Sequence, residues 1–345
     1  MMMTNCCRIR YRVVTAKPGA GWTLTFVGKP LRSTKALVMA GLLASTGSAV
    51  VGARNLLSGQ ADQVRTVIPK AWDIPPRADG VYEPDGGPVQ PWERDTPFDV
   101  HLMVFGDSTA TGYGCVEADE VPGALIARGL AAQSGKFVRL STKAIVGATS
   151  KGLSGQVDAM LVAGPPPDAA VIMIGANDVT ALNGIGPSAR RLGAAVGRLR
   201  SVGAAVAVGT CPDFGVISAI PQPLRWTARS LGLQLARAQA VAVTAAGGIA
   251  VPLADLMTPH FRNDPGRLFA EDGYHPSAVG YELAASQLLP ALCHALGTIG
   301  GDEIPELSWA ALSAARPLSS RLAALTRWPG RRTTGVPAPV VVTAG

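Results

Sequence analysis

Motifs for binding metals and phosphates are missing from this sequence. It has no CxxC pair and no Cys/His spacing of the zinc-site type, and the dinucleotide fingerprint GxGxxG is absent. The glycine-rich stretch GDSTATGYG (106–114) has Tyr113 where a P-loop needs its lysine, and no lysine follows before Lys136. These absences predict a site that uses neither a metal ion nor an organic cofactor.

Acidic residues are absent from both ends of the chain. Residues 1–53 contain seven basic residues and residues 307–345 contain five, with no Asp or Glu in either segment. Because the net charge of the whole chain is +7, residues 54–306 carry a net charge of −5. A mildly acidic body does not suit a groove for DNA or RNA, so we expect no nucleic-acid partner.

The basic N-terminal region has the pattern of an export signal. Lys29, Arg32 and Lys35 precede eighteen uncharged residues, ALVMAGLLASTGSAVVGA (36–53). Basic residues, an apolar run and small residues at its end are typical of a secretory signal peptide. An uncleaved anchor is the alternative, because the run is near the lower length of a membrane span. Residues 1–53 therefore predict export, with the protein secreted or held in the cell envelope through membrane association of residues 36–53.

Cysteine is scarce, with five residues in the chain. Cys6 and Cys7 precede the apolar run, so signal cleavage would leave Cys115, Cys211 and Cys293. One disulfide plus one free thiol would suit an exported enzyme, and the spacing leaves the pairing open.

The rest of the chain divides by composition. Prolines recur every few residues in 54–98, which predicts a linker or wrapping arm. From residue 99 to 297, short Val- and Ile-rich runs alternate with longer stretches of helical period, which predicts an α/β domain: a three-layer sandwich with a central parallel sheet. The predicted strands are 100–106, 137–145, 169–175, 204–210 and 249–254. Residues 298–345 form a basic C-terminal tail.

Three polar or glycine-marked loops follow the first three predicted strands. Ser108 follows the first, Gly147 the second and Asn177 the third. Since functional groups gather at the carboxyl ends of parallel strands, we expect these loops to form one site.

A candidate base for Ser108 lies near the C-terminal end of the domain. His275 precedes Pro276, which predicts a helix start. Asp272, three residues earlier, can turn back to accept the imidazole N–H, which would complete a Ser-His-Asp arrangement. As a structural alternative, Asp272 would be only a turn residue, since Asp-Gly favours turns.

Four segments together resemble the conserved blocks of the SGNH hydrolases, also called GDSL esterases/lipases. They are GDSTATG (106–112), IVGATS (145–150), IGAND (174–178) and DGYHP (272–276), in the family's order. The resemblance implies a flavodoxin-like fold and an acyl hydrolase. It makes Ser108 the nucleophile, His275 the general base and Asp272 the residue that orients it. It also implies an oxyanion hole formed by the backbone N–H groups of Ser108 and Gly147 and the side-chain amide of Asn177.

The sequence departs from related patterns at two places. The second block often has Asn or Ser ahead of its glycine, whereas Val146 stands here, so only backbone help is expected from that block. Ala110 replaces the second glycine of a GxSxG elbow, which disfavours the α/β-hydrolase fold. We assign Asp107 and Asp178 to loop hydrogen bonding rather than to catalysis.

These observations predict a serine esterase that acts on small-molecule, lipid or glycan esters. The absence of a long insertion between the blocks predicts a fairly open site and favours short-chain acyl or acetyl esters. The same site would also serve a cell-envelope O-acetyltransferase, thioesterase or lysophospholipase. A non-catalytic binding protein on this fold is the alternative from another class.

Overall fold

The computed structural model describes residues 74–162 and 164–297, together with residues 52, 55–61 and 63. The chain divides into two units, Met1–Arg54 and Asn55–Gly345. Apart from residue 52, the predicted signal segment lies outside the described residues, and so does the predicted tail from residue 298. Within the part of the chain that is described, no helix is long and apolar enough to cross a membrane.

The centre of the second unit is a six-stranded sheet. Its strands are β1 (Gly80–Tyr82), β2 (Val100–Gly106), β3 (Val138–Thr142), β4 (Ala169–Met173), β5 (Ala205–Gly209) and β6 (Ile249–Val251). They lie in the order β1-β3-β2-β4-β5-β6, and all neighbours are parallel except the antiparallel pair β1 and β3. The five parallel strands have flavodoxin-like order, so the predicted fold class is confirmed. The chain reverses direction across the sheet between β2 and β4, and in such sheets ligands bind at this switch point.

Helices cover both faces of the sheet. They are α1 (Ser108–Thr111), α2 (Pro122–Ser134), α3 (Leu153–Val162), α4 (Ala176–Thr180), α5 (Ile185–Ser201), α6 (Leu224–Ala245), α7 (Leu253–Asn263), α8 (Pro265–Leu268) and α9 (Ala278–Leu296). Side chains of β2 alternate between two cores because successive strand residues point to opposite faces. Leu102 and Val104 join a core with α2, α7 and α9, whereas Met103 and Phe105 join a core with α3, α5 and α6.

Three local features differ from the sequence-based expectation. The proline-rich arm contributes β1, which pairs with β3 at the sheet edge. The last predicted strand stops at Val251, and after Pro252 the helix α7 begins at Leu253, which the sequence did not indicate. Pro276 is not in the first turn of α9; it forms a bridge with Phe269, and Ser277 caps the helix by accepting the N–H of Gly280.

Candidate active site

The loop after β2 presents Ser108 at the carboxyl edge of the sheet. Asp107 caps α1 by accepting the N–H of Thr109, and Ser108 is the first residue of that helix. Gly106 has a φ of +137°, and a Cβ at this position would lie 1.9 Å from the carbonyl oxygen of Met173. Only glycine therefore lets β2 approach β4 closely enough to place Ser108 at the switch point.

Ser108, His275 and Asp272 form a continuous chain of hydrogen bonds. The Oγ of Ser108 lies 3.0 Å from Nε2 of His275, and Nδ1 of His275 lies 2.6 Å from Oδ2 of Asp272. The second oxygen of Asp272 accepts the backbone N–H groups of Tyr274 and His275 at 2.8 and 2.9 Å. Because a carboxylate only accepts, Nδ1 carries the proton and Nε2 is left to accept the proton of Ser108.

The charge on Asp272 is favoured by its contacts. Burial by itself would raise the pKa of Asp272, but the hydrogen bonds from the His275 ring and from two backbone N–H groups outweigh it, so the pKa lies below its usual value. Asp272 is therefore ionised at neutral pH and faces the ring whose positive charge it would stabilise.

Two tyrosines hold the His275 ring. The ring centroid of Tyr113 lies 4.6 Å from that of His275 and the centroid of Tyr274 lies 5.0 Å away, the latter edge to face. The hydroxyl of Tyr281, on α9, donates to the carbonyl oxygen of Tyr113 at 2.8 Å. These contacts restrict the ring to the orientation that points Nε2 at Ser108, and the sequence analysis identified none of the three tyrosines.

Gly147 and Asn177 lie on the neighbouring loops. Gly147 is exposed and has a φ of +78°, with open space where a Cβ would be. The Nδ2 of Asn177 donates to the carbonyl oxygen of Ala148 at 3.0 Å, which ties the loop after β4 to the loop after β3. An amide nitrogen has two N–H bonds, so this contact leaves one for a ligand.

The buried carboxylate of Asp178 also connects the loop after β4 to the loop after β3. Its carboxylate is 3% exposed and accepts the N–H and the hydroxyl of Ser150 at 2.8 and 2.7 Å. It also accepts the side chains of Asn183 and Ser188. These contacts place Asp178 in loop hydrogen bonding, as predicted. Asp107 likewise makes a loop contact, and burial raises its pKa to about 6.

Two buried glutamines clamp the strand ends, and the sequence analysis missed both. The side chain of Gln156 donates to the carbonyl oxygen of Gly106 and accepts its N–H, each at 2.8 Å. Gln239 accepts the N–H of Cys211 and donates to the carbonyl oxygen of Ile174, also at 2.8 Å. A polar residue inside a predicted helix reads as solvent-facing from sequence alone, so only the fold reveals these contacts.

Ser108 and His275 lie in a recess at the carboxyl edge of the sheet, and the open site expected from the sequence stays a prediction. They are 8% and 6% exposed, whereas Gly147 is exposed and Asn177 is partly exposed at the rim. A substrate carbonyl must therefore enter between the loops to reach Ser108.

The expected disulfide is not formed among the described cysteines. Cys115, Cys211 and Cys293 are all thiols. Cys293 donates to the side chain of Gln133 at 3.1 Å, and Cys211 is buried beside the loop after β5, in a different core from Cys293. Within the described part of the chain, no group of three or more His, Cys, Asp or Glu side chains is arranged to hold a metal ion.

Comparison with protein families identifies the family of this chain. The model of the GDSL-like lipase/acylhydrolase family matches residues 104–283, which run from β2 into α9 and include Ser108, Gly147, Asn177, Asp272 and His275. The chain belongs to the GDSL-like lipase/acylhydrolase family. The predicted resemblance is thus confirmed.

A curated relative supports this assignment. A GDSL-like esterase of Mycobacterium tuberculosis is 70% identical over 267 residues, which are 77% of this chain and 85% of the relative. Among solved structures, a lipase/acylhydrolase from Enterococcus faecalis is 24% identical, with a TM-score of 0.44, and the match covers 59% of this chain and 100% of that one. A hydrolase from a Lake Arreo metagenome is 19% identical, with a TM-score of 0.44, over 59% of this chain and 97% of its own. The family match and the 70% identical relative show that the protein described here is a carboxylic ester hydrolase.

Proposed function

We propose that this GDSL-like esterase hydrolyses its substrates through a Ser108–His275–Asp272 triad. The observation that carries the proposal is the unbroken hydrogen-bond chain, 3.0 Å from Ser108 Oγ to His275 Nε2 and 2.6 Å from His275 Nδ1 to Asp272. Nucleophile, base and orienting carboxylate within hydrogen-bond reach are the geometric signature of an activated serine.

The mechanism follows from these positions. Ser108 Oγ attacks the acyl carbonyl while His275 Nε2 takes its proton, and the resulting imidazolium faces the ionised Asp272. Collapse of the tetrahedral intermediate transfers that proton to the leaving alcohol and leaves an acyl-Ser108 ester. Water then gives a proton to His275 and attacks the acyl-enzyme, which releases the acid and returns the proton to Ser108.

The negative charge of the tetrahedral intermediate would be held by three donors. We assign them to the backbone N–H groups of Ser108 and Gly147 and to the free Nδ2–H of Asn177. Removing one such donor typically costs about 3 kcal/mol of transition-state stabilisation. The open space beside Gly147 and the clamp of Asp178 on the adjoining loops support this assignment.

We propose short-chain acyl or acetyl esters as the substrates. The recessed position of Ser108 supports small acyl groups, because the reacting carbonyl has to pass between the loops at the rim. The pattern of residues 1–53 likewise supports our proposal that the enzyme is exported and acts in the cell envelope or outside the cell.

Ester hydrolysis by the wild type and by Ser108→Ala tests the triad. The full chain is assayed on p-nitrophenyl esters from acetate to palmitate, and Ser108→Ala is expected to lose several orders of magnitude in kcat. Ser201→Ala, at an exposed serine at the end of α5, serves as the matched control. Activity that survives in Ser108→Ala would contradict the triad. Folded wild type that neither turns over nor labels at Ser108 with a fluorophosphonate would favour a binding protein.

A further inference from the structure

An apolar cavity of about 90 Å³ adjoins the proposed triad. Its lining includes His275 and the neighbours of two site residues, Thr109 beside Ser108 and Ala176 beside Asn177. From there it is bounded by the ends of β4 and β5, by α7 and by α9. The apolar side chains that line it include Met173, Phe214, Leu253, Met257, Phe261 and Phe269.

Two buried carboxylates that line the cavity, Asp107 and Asp213, already have partners. Asp213 forms an ion pair with Arg229 at 3.0 Å and accepts the N–H of Gly215 at 2.7 Å. Asp107 accepts the N–H of Thr109 at 3.0 Å. A cavity holds ordered water only where two or more polar groups need partners, and apolar cavities stay dry. The lining therefore suits a hydrocarbon ligand better than water or a sugar.

We propose that this cavity is the acyl pocket of the esterase and that it limits the substrate to acyl chains of about two to four carbons. The assignment rests on the proposed function, because it places the acyl carbonyl at Ser108. The size limit comes from volume: a cavity of roughly 150 Å³ holds the six carbons of benzene, so about 90 Å³ holds about four.

Substitutions at Met257 and Ala284 change the volume of the cavity in opposite directions. Met257, on α7, is 9% exposed and lines the cavity, so Met257→Ala enlarges it. Ala284, on α9, is 2% exposed and lines it from the other side, so Ala284→Leu fills it. Met160, on α3, is 1% exposed in the opposite core and does not line the cavity, which makes Met160→Ala a matched control.

The experiment compares kcat/KM on p-nitrophenyl acetate, butyrate, hexanoate and octanoate for the full-length wild type and the three variants. The wild type is expected to prefer acetate and butyrate. Met257→Ala should raise the hexanoate-to-acetate ratio about tenfold, Ala284→Leu should lower the butyrate-to-acetate ratio about tenfold, and Met160→Ala should leave both ratios unchanged. Fluorophosphonate labelling and thermal unfolding identify any variant that has not folded.

The outcomes separate the two proposals. An active wild type whose chain-length profile is the same in either folded cavity variant overturns the acyl pocket and leaves the triad standing. A shift in Met160→Ala as large as that in Met257→Ala also overturns it, because the effect would then follow from a loosened core. A folded wild type inert on every ester, with no labelling of Ser108, overturns the triad and the pocket together.

Discussion

Asp272 acts on His275 through both of its carboxylate oxygens. One oxygen fixes the ring through Nδ1, and the other accepts two backbone N–H groups that shape the loop itself. The same carboxylate therefore sets the position of His275, its tautomer and the stability of its charged form. Asp–x–x–His spacing predicts the first contact, whereas the backbone contacts and the flanking rings of Tyr113 and Tyr274 depend on how the loop packs.

Asp272→Asn is expected to lower kcat by about 10⁴-fold, because the amide no longer stabilises the imidazolium and permits the wrong tautomer. The pKa of Asp272 is lowered in the folded protein, so its stabilising effect is present above the unfolded pKa of about 3.9 and is lost as pH falls through the folded value. Urea unfolding from pH 7 to pH 3 should show wild type losing more stability than Asp272→Asn. Asp158→Asn, at an exposed carboxylate, is the control; equal pH slopes in wild type and Asp272→Asn would contradict the prediction.

Asp107 should show the opposite pH dependence. Burial raises its pKa from 3.8 to about 6, so the folded state holds the proton more tightly than the unfolded one. Its favourable contribution is present below about pH 4 and lost as pH rises through about 6. Asp107→Asn keeps a side-chain oxygen for capping α1 and stays neutral. Its stability relative to wild type should rise by about 2 kcal/mol between pH 4 and pH 7 in urea unfolding. A difference that does not change with pH would argue against it.

At the scale of secondary-structure elements, the sequence predicts the buried parallel strands but not the elements that adjoin them, β1 and α7. The five parallel strands are predictable because buried strands need continuous apolar runs, and the structure places each within its predicted range or, for the first, at the same bounds. The strand β1 has three residues among prolines and forms only because β3 has a free edge to pair with. Helix α7 follows β6 after a single proline and contains Pro259, so it lacks the usual sequence signals.

A substitution of Gln156 tests whether its contact with the end of β2 stabilises the fold. It clamps α3 to the last residue of β2 through both atoms of its amide, at a position 3% exposed. Gln156→Leu leaves the N–H of Gly106 without that partner inside the protein, which should lower the free energy of unfolding by about 2–3 kcal/mol and reduce kcat by loosening the turn before Ser108. Gln287→Leu, at a partly exposed position on α9, is the control and should change neither. The prediction fails if the two variants unfold at the same urea concentration.

At the scale of the whole molecule, the proposed active site and the excess positive charge lie in different parts of the chain. The described strands and the buried apolar cores lie between residues 78 and 293, and the proposed site lies at the switch point between β2 and β4. Residues 54–306 carry −5, whereas the flanking segments contain basic residues and no acidic ones. Ester chemistry and attraction to anionic surfaces should therefore be separable.

A shortened chain of residues 54–306 tests that separation. It keeps every described strand and core cluster, so its kcat/KM on a soluble short-chain ester should stay within about twofold of the full chain's. Residues 54–345, which lack the apolar run 36–53 and keep the basic tail, should bind phosphatidylglycerol vesicles at low salt and release them as salt rises, because surface attraction between opposite charges is screened within about 10 Å at 0.1 M salt. Residues 54–306 should not bind. Equal vesicle binding by residues 54–306 and by residues 54–345 would contradict the prediction that the basic tail causes the attraction to anionic surfaces.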